Sequence, residues 1–253
     1  MKKYYLVLLV LSVLSIVGCD DDEGNNEAVA TLQFNFEASF ENDDLILSDL
    51  YDYDTGLEIG INVARFFMSD IYLIKATGEK VSIKDVAVVD FGQNHITNGS
   101  NKETLTITEI PIGDYTGIEF GFGVNSDLNG AIPPDFANGH PLSESSEYWD
   151  WRETYIFSKL EGRMVRSTGE QTFFVYHTGT DALYKTVTLE KSISLEENQT
   201  TALNFQLNAK DWFKQDNGLL DVETNNISHS GPDDLWLADL IITNMANSIQ
   251  LTD

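Results

Sequence analysis

Alternating apolar and polar positions dominate the chain from residue 29 onward. Leu32, Phe34 and Phe36 are separated by polar residues, so on an extended segment they share one face. Similar alternation or short apolar runs predict strands at 61–68, 71–74, 80–83, 86–91, 104–107, 115–124, 172–177, 184–195 and 201–207. Helical periodicity is confined to 212–213 and 235–245. This succession of short strands and turn signals predicts an all-β chain, a single-domain β-sandwich with long functional loops and little helix.

The segment 125–155 is the longest stretch after residue 29 that lacks strand alternation. Segments of this length without regular structure usually carry function, so we expect the functional residues in or around it. Neither an internal repeat nor a Pro- or Gly-rich linker divides the chain. The predicted organisation is a signal peptide at 1–18, an acidic disordered tether at 19–28 and one β-sandwich domain at 29–253.

The N-terminus has the features of a bacterial lipoprotein signal. Two lysines at positions 2 and 3 precede the apolar run 5–17, and the segment 16–19, Ile-Val-Gly-Cys, is typical of a lipobox ending at Cys19. The run is short for a membrane span, so it is predicted to be cleaved, with lipid attached to Cys19. A plain secretory signal with a chance cysteine is the alternative. Acyl chains would anchor the protein stably.

An acidic run directly after the lipidated cysteine resembles the surface-export signal of Bacteroidetes lipoproteins. The predicted location is therefore the outer membrane, with the domain facing either the cell surface or the periplasm.

Composition excludes several classes of partner and chemistry. The chain has 41 acidic and 15 basic residues, a formal charge of −26, which argues against nucleic acid and against binding to anionic lipid surfaces. Cys19 is the only cysteine, so once it is acylated no thiol remains, which excludes disulfides, thiolate catalysis and cysteine-ligated metals. No nucleophile-elbow, zinc-protease, phosphate-loop or dinucleotide motif occurs. The chain is predicted not to be an enzyme.

Tryptophans and histidines are the candidate functional residues. Trp149 and Trp151 stand two positions apart, a spacing that by composition alone is more typical of an aromatic corner in a sandwich core. His177 ends an apolar strand, where a histidine is most often structural. No two histidines have the spacing of a local metal motif, so any histidine site would need residues from distant loops.

A series of short motifs resembles the MbnP-like family. The motifs, in chain order, are FFMSDIYL at 66–73, VVD at 88–90, IGDY at 112–115, FGFGVN at 120–125, YWDW at 148–151, KLEG at 159–162 and HTG at 177–179. The resemblance implies an exported β-sandwich that binds copper through imidazoles. It also implies a tryptophan oxidised to kynurenine by a di-haem cytochrome c peroxidase-like partner.

The positions that match the family motifs are His177, in the family's histidine-x-glycine motif, and the tryptophan pair. The resemblance makes His177 the first candidate copper ligand, with His140 and His229 as its candidate partners, since neutral imidazoles suit copper without a thiol. Either Trp149 or Trp151 would be the modified residue or lie beside the copper. The chain departs from the family at Thr154, where glycine is usual, and at Trp151, which replaces the histidine of a tryptophan-x-histidine arrangement.

A calcium-binding surface module is the alternative function. Asn125, Asp127 and Asn129 place oxygen side chains at the first, third and fifth positions of a loop with Gly130 sixth, as in calcium loops. The bidentate glutamate of such loops is missing, and an Asn/Asp turn explains the same residues. In this alternative, calcium braces the loops of a binding or adhesion module, and the tryptophans form core or a carbohydrate-stacking platform.

Overall fold

The structure is a computed structural model that describes residues 28–92 and 101–252. Its strands are β1 (Val29–Phe40), β2 (Asp43–Asp44), β3 (Tyr51–Asp54), β4 (Leu57–Ile74), β5 (Lys80–Asp90), β6 (Lys102–Pro111), β7 (Gly113–Phe122), β8 (Tyr148–Trp149), β9 (Thr154–Tyr155), β10 (Ser158–Arg166), β11 (Gln171–Thr178), β12 (Lys185–Leu195), β13 (Thr200–Asn208), β14 (Lys214–Gln215), β15 (Gly218–Leu219), β16 (Ile227–Ser228) and β17 (Gln250–Thr252). The α-helices are α1 (Ser126–Asn129) and α2 (Leu235–Asn247), and short 3-10 helices occupy Pro133–Asp135, Pro141–Ser143, Ser145–Glu147, Asp181–Leu183 and Ala209–Phe213.

Two sheets form the body of the domain. In the first, β1 pairs in parallel with β13 and antiparallel with β6, while β17 and β2 complete the edges. In the second, the order is β12-β7-β4-β10-β11-β16, and β3 and β5 also pair with the long strand β4. The hairpins β8–β9 and β14–β15 are separate two-stranded units.

Aromatic side chains join the two sheets. Phe36 on β1 stacks on Phe205 of β13 and contacts Phe66 of β4 edge to face, with ring centroids 6.3 Å apart in the second pair. Phe66 in turn stacks on Phe122 of β7. All four rings are buried, because alternate residues of each strand point between the sheets. The all-β sandwich predicted from the alternation is confirmed.

Several predicted elements differ in extent from the observed ones. The predicted strands 61–68 and 71–74 form the single strand β4, which bends where Asp70 has a φ of 51° and the pairing with β5 and β7 shifts register. Strands 80–83 and 86–91 likewise form one strand, β5. The predicted helix 235–245 is confirmed as α2, and residues 212–213 lie in a 3-10 helix.

The alternation did not predict β10. Its outward residues Lys159 and Glu161 are charged, and the inward position between Leu160 and Met164 is Gly162. A Cβ at Gly162 would lie 2.1 Å from the carbonyl oxygen of Gly60 on β4, so close strand packing requires glycine there.

The N-terminal predictions lie outside the described residues. These are the signal peptide 1–18, the lipid-bearing Cys19 and the tether up to residue 27. Within residues 28–92 and 101–252, neither α-helix combines the length and apolar character that crossing a bilayer demands.

Candidate functional site

Strands β11 and β16 place two histidines side by side on the outer face of the second sheet. Phe174 and Tyr176 of β11 are buried in the core, so His177 points to the opposite face. β16 pairs with β11 in parallel, with Tyr176 opposite Ser228, and the next residue along each chain is a histidine. The ring centroids of His177 and His229 lie 5.2 Å apart, with the ring planes at 82°.

The hairpin β8–β9 lays an indole against both imidazoles. The ring centroid of Trp149 lies 6.5 Å from that of His177 and 6.2 Å from that of His229. Trp149 is 8% exposed, whereas Trp151, in the turn that follows β8, is 66% exposed. The long segment 125–155 therefore contributes one buried tryptophan to the histidine pair and presents the other to solvent.

Arg152 connects this hairpin to the loop that carries His229. Its guanidinium carbon lies 4.7 Å from the ring centroid of Trp151 and 5.7 Å from that of Trp149, within the range of cation–π attraction. Its Nη1 donates a 2.5 Å hydrogen bond to the carbonyl oxygen of Ser230. Arg152 thus holds the tryptophan hairpin and the histidine loop together.

A second connection joins the ends of β11 and β16. The amide of Gly179 donates to Oγ of Ser230 at 3.1 Å, and the same hydroxyl donates to the carbonyl oxygen of His177 at 3.2 Å. Gly179 also lies directly under the indole of Trp149. The histidine-x-glycine motif at 177–179 therefore combines a candidate ligand with the space that the tryptophan needs.

The two imidazoles differ in their surroundings. Nε2 of His177 lies 2.7 Å from Oε1 of Glu161 on β10, and this hydrogen bond holds the pKa of the Glu161 carboxyl below its ordinary value. Burial, followed by the neighbouring His177, lowers the pKa of His229. A lowered pKa favours the neutral imidazole, the form whose lone pair can bind a metal.

An ion network adjoins the histidine pair on the same face. Glu147, whose side chain is 3% exposed, accepts from Arg65 at 2.8 Å and from Lys159 at 2.9 Å through Oε1. Lys159 pairs with His177 across β10 and β11, and Arg65 pairs with Lys159 across β4 and β10. Arg65, Lys159 and His177 are therefore neighbours on three adjacent strands, and the ion network lies directly beside the histidine pair.

The structure places His140 apart from the pair. Its ring stacks on Phe136 at 4.5 Å between centroids, and its Nδ1 accepts a hydrogen bond from the amide of Leu142. It lines a separate groove with Lys84 and Asp85 of β5. Of the three predicted histidine ligands, His177 and His229 come together and His140 does not join them.

Acidification should destabilise the fold in part through His140. Burial, and after it the nearby Lys84, lowers the pKa of His140, so the folded chain takes up this proton less readily than the unfolded chain, whose histidines titrate near about 6.5. The free energy of unfolding should therefore fall as the pH drops through that value. Urea unfolding at about pH 7.5 and about pH 5.5 measures the change. In His140→Gln, which cannot titrate, the loss should be smaller; an equal loss in both proteins contradicts the assignment.

The calcium alternative gains no support from the geometry. Asn125 caps the short helix α1, and its side-chain oxygen accepts from the amide of Leu128. The side-chain oxygen of Asn129 accepts from both Thr154 and Tyr155. These two oxygens already serve protein donors and, with Asp127, belong to a helical turn in place of the open loop that the spacing suggested.

Sequence reasoning did not assign roles to Arg152, Glu161 and Ser230, which hold the site together. In the sequence, Glu161 is distinguished only as part of the KLEG motif at 159–162, and the serine has no recognisable local signal. Among the described residues, no group of three or more histidine, cysteine, aspartate or glutamate side chains is arranged around a common metal position. The donor set is thus an imidazole pair with one carboxylate bonded to it.

A solved structure and a family of known proteins are similar to this chain. The solved structure of MbnP from Methylosinus trichosporium is 15% identical and aligns over 73% of this chain and 77% of that one, with a TM-score of 0.49. Curated proteins show no match. The profile of the MbnP family matches residues 29–230, which include both histidines and the tryptophan hairpin. Because this match covers most of the chain, the protein belongs to the MbnP family.

Proposed function

We propose that this protein is a non-enzymatic, copper-binding lipoprotein of the cell envelope, with His177 and His229 as its copper ligands. The observation that carries the proposal is the juxtaposition of the two imidazoles, 5.2 Å apart between ring centroids, although about fifty residues of chain separate them. Imidazole nitrogens suit copper, and family membership makes copper the expected ion.

The chemistry of the donor set fits copper as bound cargo. The environment of His229 favours its neutral form, and His177 is oriented by a carboxylate, as metal-binding histidines commonly are. A thiolate ligand is excluded from residues 29–253, because the only cysteine precedes them. The two imidazoles would hold the ion, and the buried indole of Trp149 would shield one side of it from water.

Copper titration tests the proposal. Wild type should bind copper, and His177→Ala and His229→Ala should each lose at least about tenfold in affinity, since metal binding depends on both imidazoles. His140→Ala is the matched control, because His140 lies in a separate groove, and it should bind as wild type does. Equal binding by all four proteins contradicts the proposed ligands.

Oxidation of tryptophan to kynurenine by a di-haem cytochrome c peroxidase-like partner is part of the proposal. Trp149 is the expected residue, because its ring approaches both imidazoles while Trp151 points to solvent. Intact mass of protein from native membranes should then show the loss of one carbon and the gain of one oxygen. A peptide map that finds Trp149 unmodified in native protein contradicts this part.

The lipid anchor at Cys19 and an outer-membrane location complete the proposal, and the sequence features of the N-terminus support them. Cys19→Ser should release the protein from the membrane fraction. Protease treatment of intact cells separates the two orientations: digestion indicates the cell surface, and survival until lysis indicates the periplasmic face.

A surface binding module remains the second candidate, and the 66% exposure of Trp151 is the observation that favours it. An exposed indole beside an arginine can stack on a sugar ring or a planar ligand. Glycan binding that is lost in Trp151→Ala, together with copper binding too weak to be affected by His177→Ala, would support this candidate.

A further inference from the structure

Glu161 is placed by the strand register to reach the outer edge of the His177 ring. On β10, Lys159 stands directly opposite His177, and Glu161 lies two residues further along the same face. Diagonal neighbours on adjacent strands are within reach of long side chains. Oε1 of Glu161 accordingly lies 2.7 Å from Nε2 of His177, the length of a charge-assisted hydrogen bond.

This contact determines which nitrogen of His177 can bind a metal. An ionised carboxylate only accepts hydrogen bonds, so Nε2 must carry the proton that lies between the two groups. In the neutral imidazole the single remaining lone pair is then on Nδ1. The His229 ring has no comparable partner among the described residues, so only one of the two rings is fixed in this way.

Rigid elements support the contact. Both residues lie within strands whose pairing runs from Ser158 opposite Thr178 to Val165 opposite Gln171 without a register shift. The side chain of His177 is 15% exposed and that of Glu161 is 35% exposed, so the carboxylate reaches solvent while the ring is largely enclosed. A site held by neighbouring strands keeps its geometry better than one held by loops.

We propose that Glu161 is a positioning residue that fixes His177 as the Nε2–H tautomer and so makes Nδ1 the copper-ligating nitrogen. The inference rests on the proposed copper function and adds to it the ligand atom and the residue that selects it. The carboxylate acts through the imidazole and does not itself bind the ion. Metal-site partners of this kind typically contribute about 10- to 100-fold in affinity.

The first test uses metal-free protein and therefore does not depend on copper. Nitrogen-15 NMR of the imidazoles at about pH 9, where histidines are neutral, reports which nitrogen is protonated. In wild type, His177 should be the Nε2–H tautomer. Glu161→Gln keeps a side-chain oxygen as acceptor and should retain this tautomer, whereas Glu161→Ala should show a mixture. A wild-type His177 protonated on Nδ1 overturns the inference.

The second test compares copper affinity in the same variants. Glu161→Ala should bind copper about 10- to 100-fold more weakly than wild type, and Glu161→Gln should recover much of the loss. Glu190→Ala, an exposed carboxylate on β12, is the matched control and should bind as wild type does. Wild-type affinity in Glu161→Ala overturns the inference.

The two tests also separate a direct ligand from a positioning residue. If Glu161→Gln keeps the tautomer but loses copper as fully as Glu161→Ala, the carboxylate is itself a ligand and the inference is wrong. If wild type has the expected tautomer but binds no copper, the proposed function fails while the hydrogen bond that orients His177 is established.

Discussion

Replacing Gly179 with alanine is expected to lower the free energy of unfolding by about 3 kcal/mol, at the upper end for overpacking a buried site. A Cβ at this position would lie 2.3 Å from the carbonyl oxygen of Tyr155, 3.1 Å from the indole of Trp149 and 3.2 Å from Cα of Ile156. Two of these three contacts are with backbone, which cannot turn aside as the end of a long side chain can. Urea unfolding measures the loss.

The same substitution should disturb the histidine site. Gly179 donates to Ser230, and its missing side chain allows Trp149 to lie over the end of β11. Displacement of Trp149 should appear as a change in tryptophan fluorescence, and copper affinity should fall together with it. Loss of stability without any change at the indole would mean that the hairpin moves as a unit and carries the tryptophan with it.

Gly130→Ala is the matched control. Gly130 has a φ of −76°, and the nearest atom to a Cβ there is 3.5 Å away, an ordinary contact. Its replacement should change the free energy of unfolding by no more than about 0.5 kcal/mol. If both glycine variants unfold at the same urea concentration as wild type, the close packing described at Gly179 is contradicted.

Replacing Glu147 with alanine is expected to destabilise the protein by about 3 kcal/mol, because Lys159 then loses its ion-pair partner and Arg65 keeps only Asp90, at 3.8 Å. Glu147 accepts from both Arg65 and Lys159, whose side chains are 19% and 14% exposed. Partial access to water keeps the expected loss at the lower end of the range for such changes. Urea unfolding of the two proteins gives the difference.

Two further variants separate the charge from the hydrogen bonds. Glu147→Gln keeps an acceptor for Arg65 and Lys159 but removes the negative charge, so a loss smaller than that of Glu147→Ala measures what the hydrogen bonds contribute without the charge. Glu79→Ala breaks the exposed pair with Lys75 and should cost no more than about 0.5 kcal/mol. A loss in Glu147→Ala no larger than in Glu79→Ala would show that the network contributes little.

The network also has a consequence for the histidines. Lys159 faces His177 across the strand pair, and Glu147 draws its ammonium group away toward the 3-10 helix that precedes β8. In Glu147→Ala this ammonium loses its carboxylate partner on the same face as His177. Copper affinity should therefore decrease in Glu147→Ala, since a nearby uncompensated positive charge opposes cation binding.

Local patterning predicted the C-terminal helix and, apart from β10, the strands of eight or more residues, whereas it missed the short strands. Alternation in β1 and helical periodicity in α2 are properties of consecutive residues, and they follow from which face meets the core. The pattern did not predict β10, where Gly162 replaces an apolar residue because another strand passes too close. Patterning also divided β4 at Asp70, where the chain bends but its pairing continues.

At the candidate site, too, the sequence predicted features that depend on neighbouring residues and missed those that depend on distant segments coming together. Residue types and their order were sufficient to indicate the family, the class of fold and His177 as a candidate ligand. They could not choose between His140 and His229 as its partner, because neither stands at a fixed local spacing from it.

Pairing between β11 and β16 makes that choice. The pairing is parallel and only two residues long, and it brings His229 beside His177 while His140 stacks on Phe136 elsewhere. Contacts of this kind arise from how distant segments pack when the sheets close, so no short stretch of sequence contains them. The roles of Glu161, Gly179 and Ser230 have the same origin, since each acts across a strand or loop that folding brings into contact.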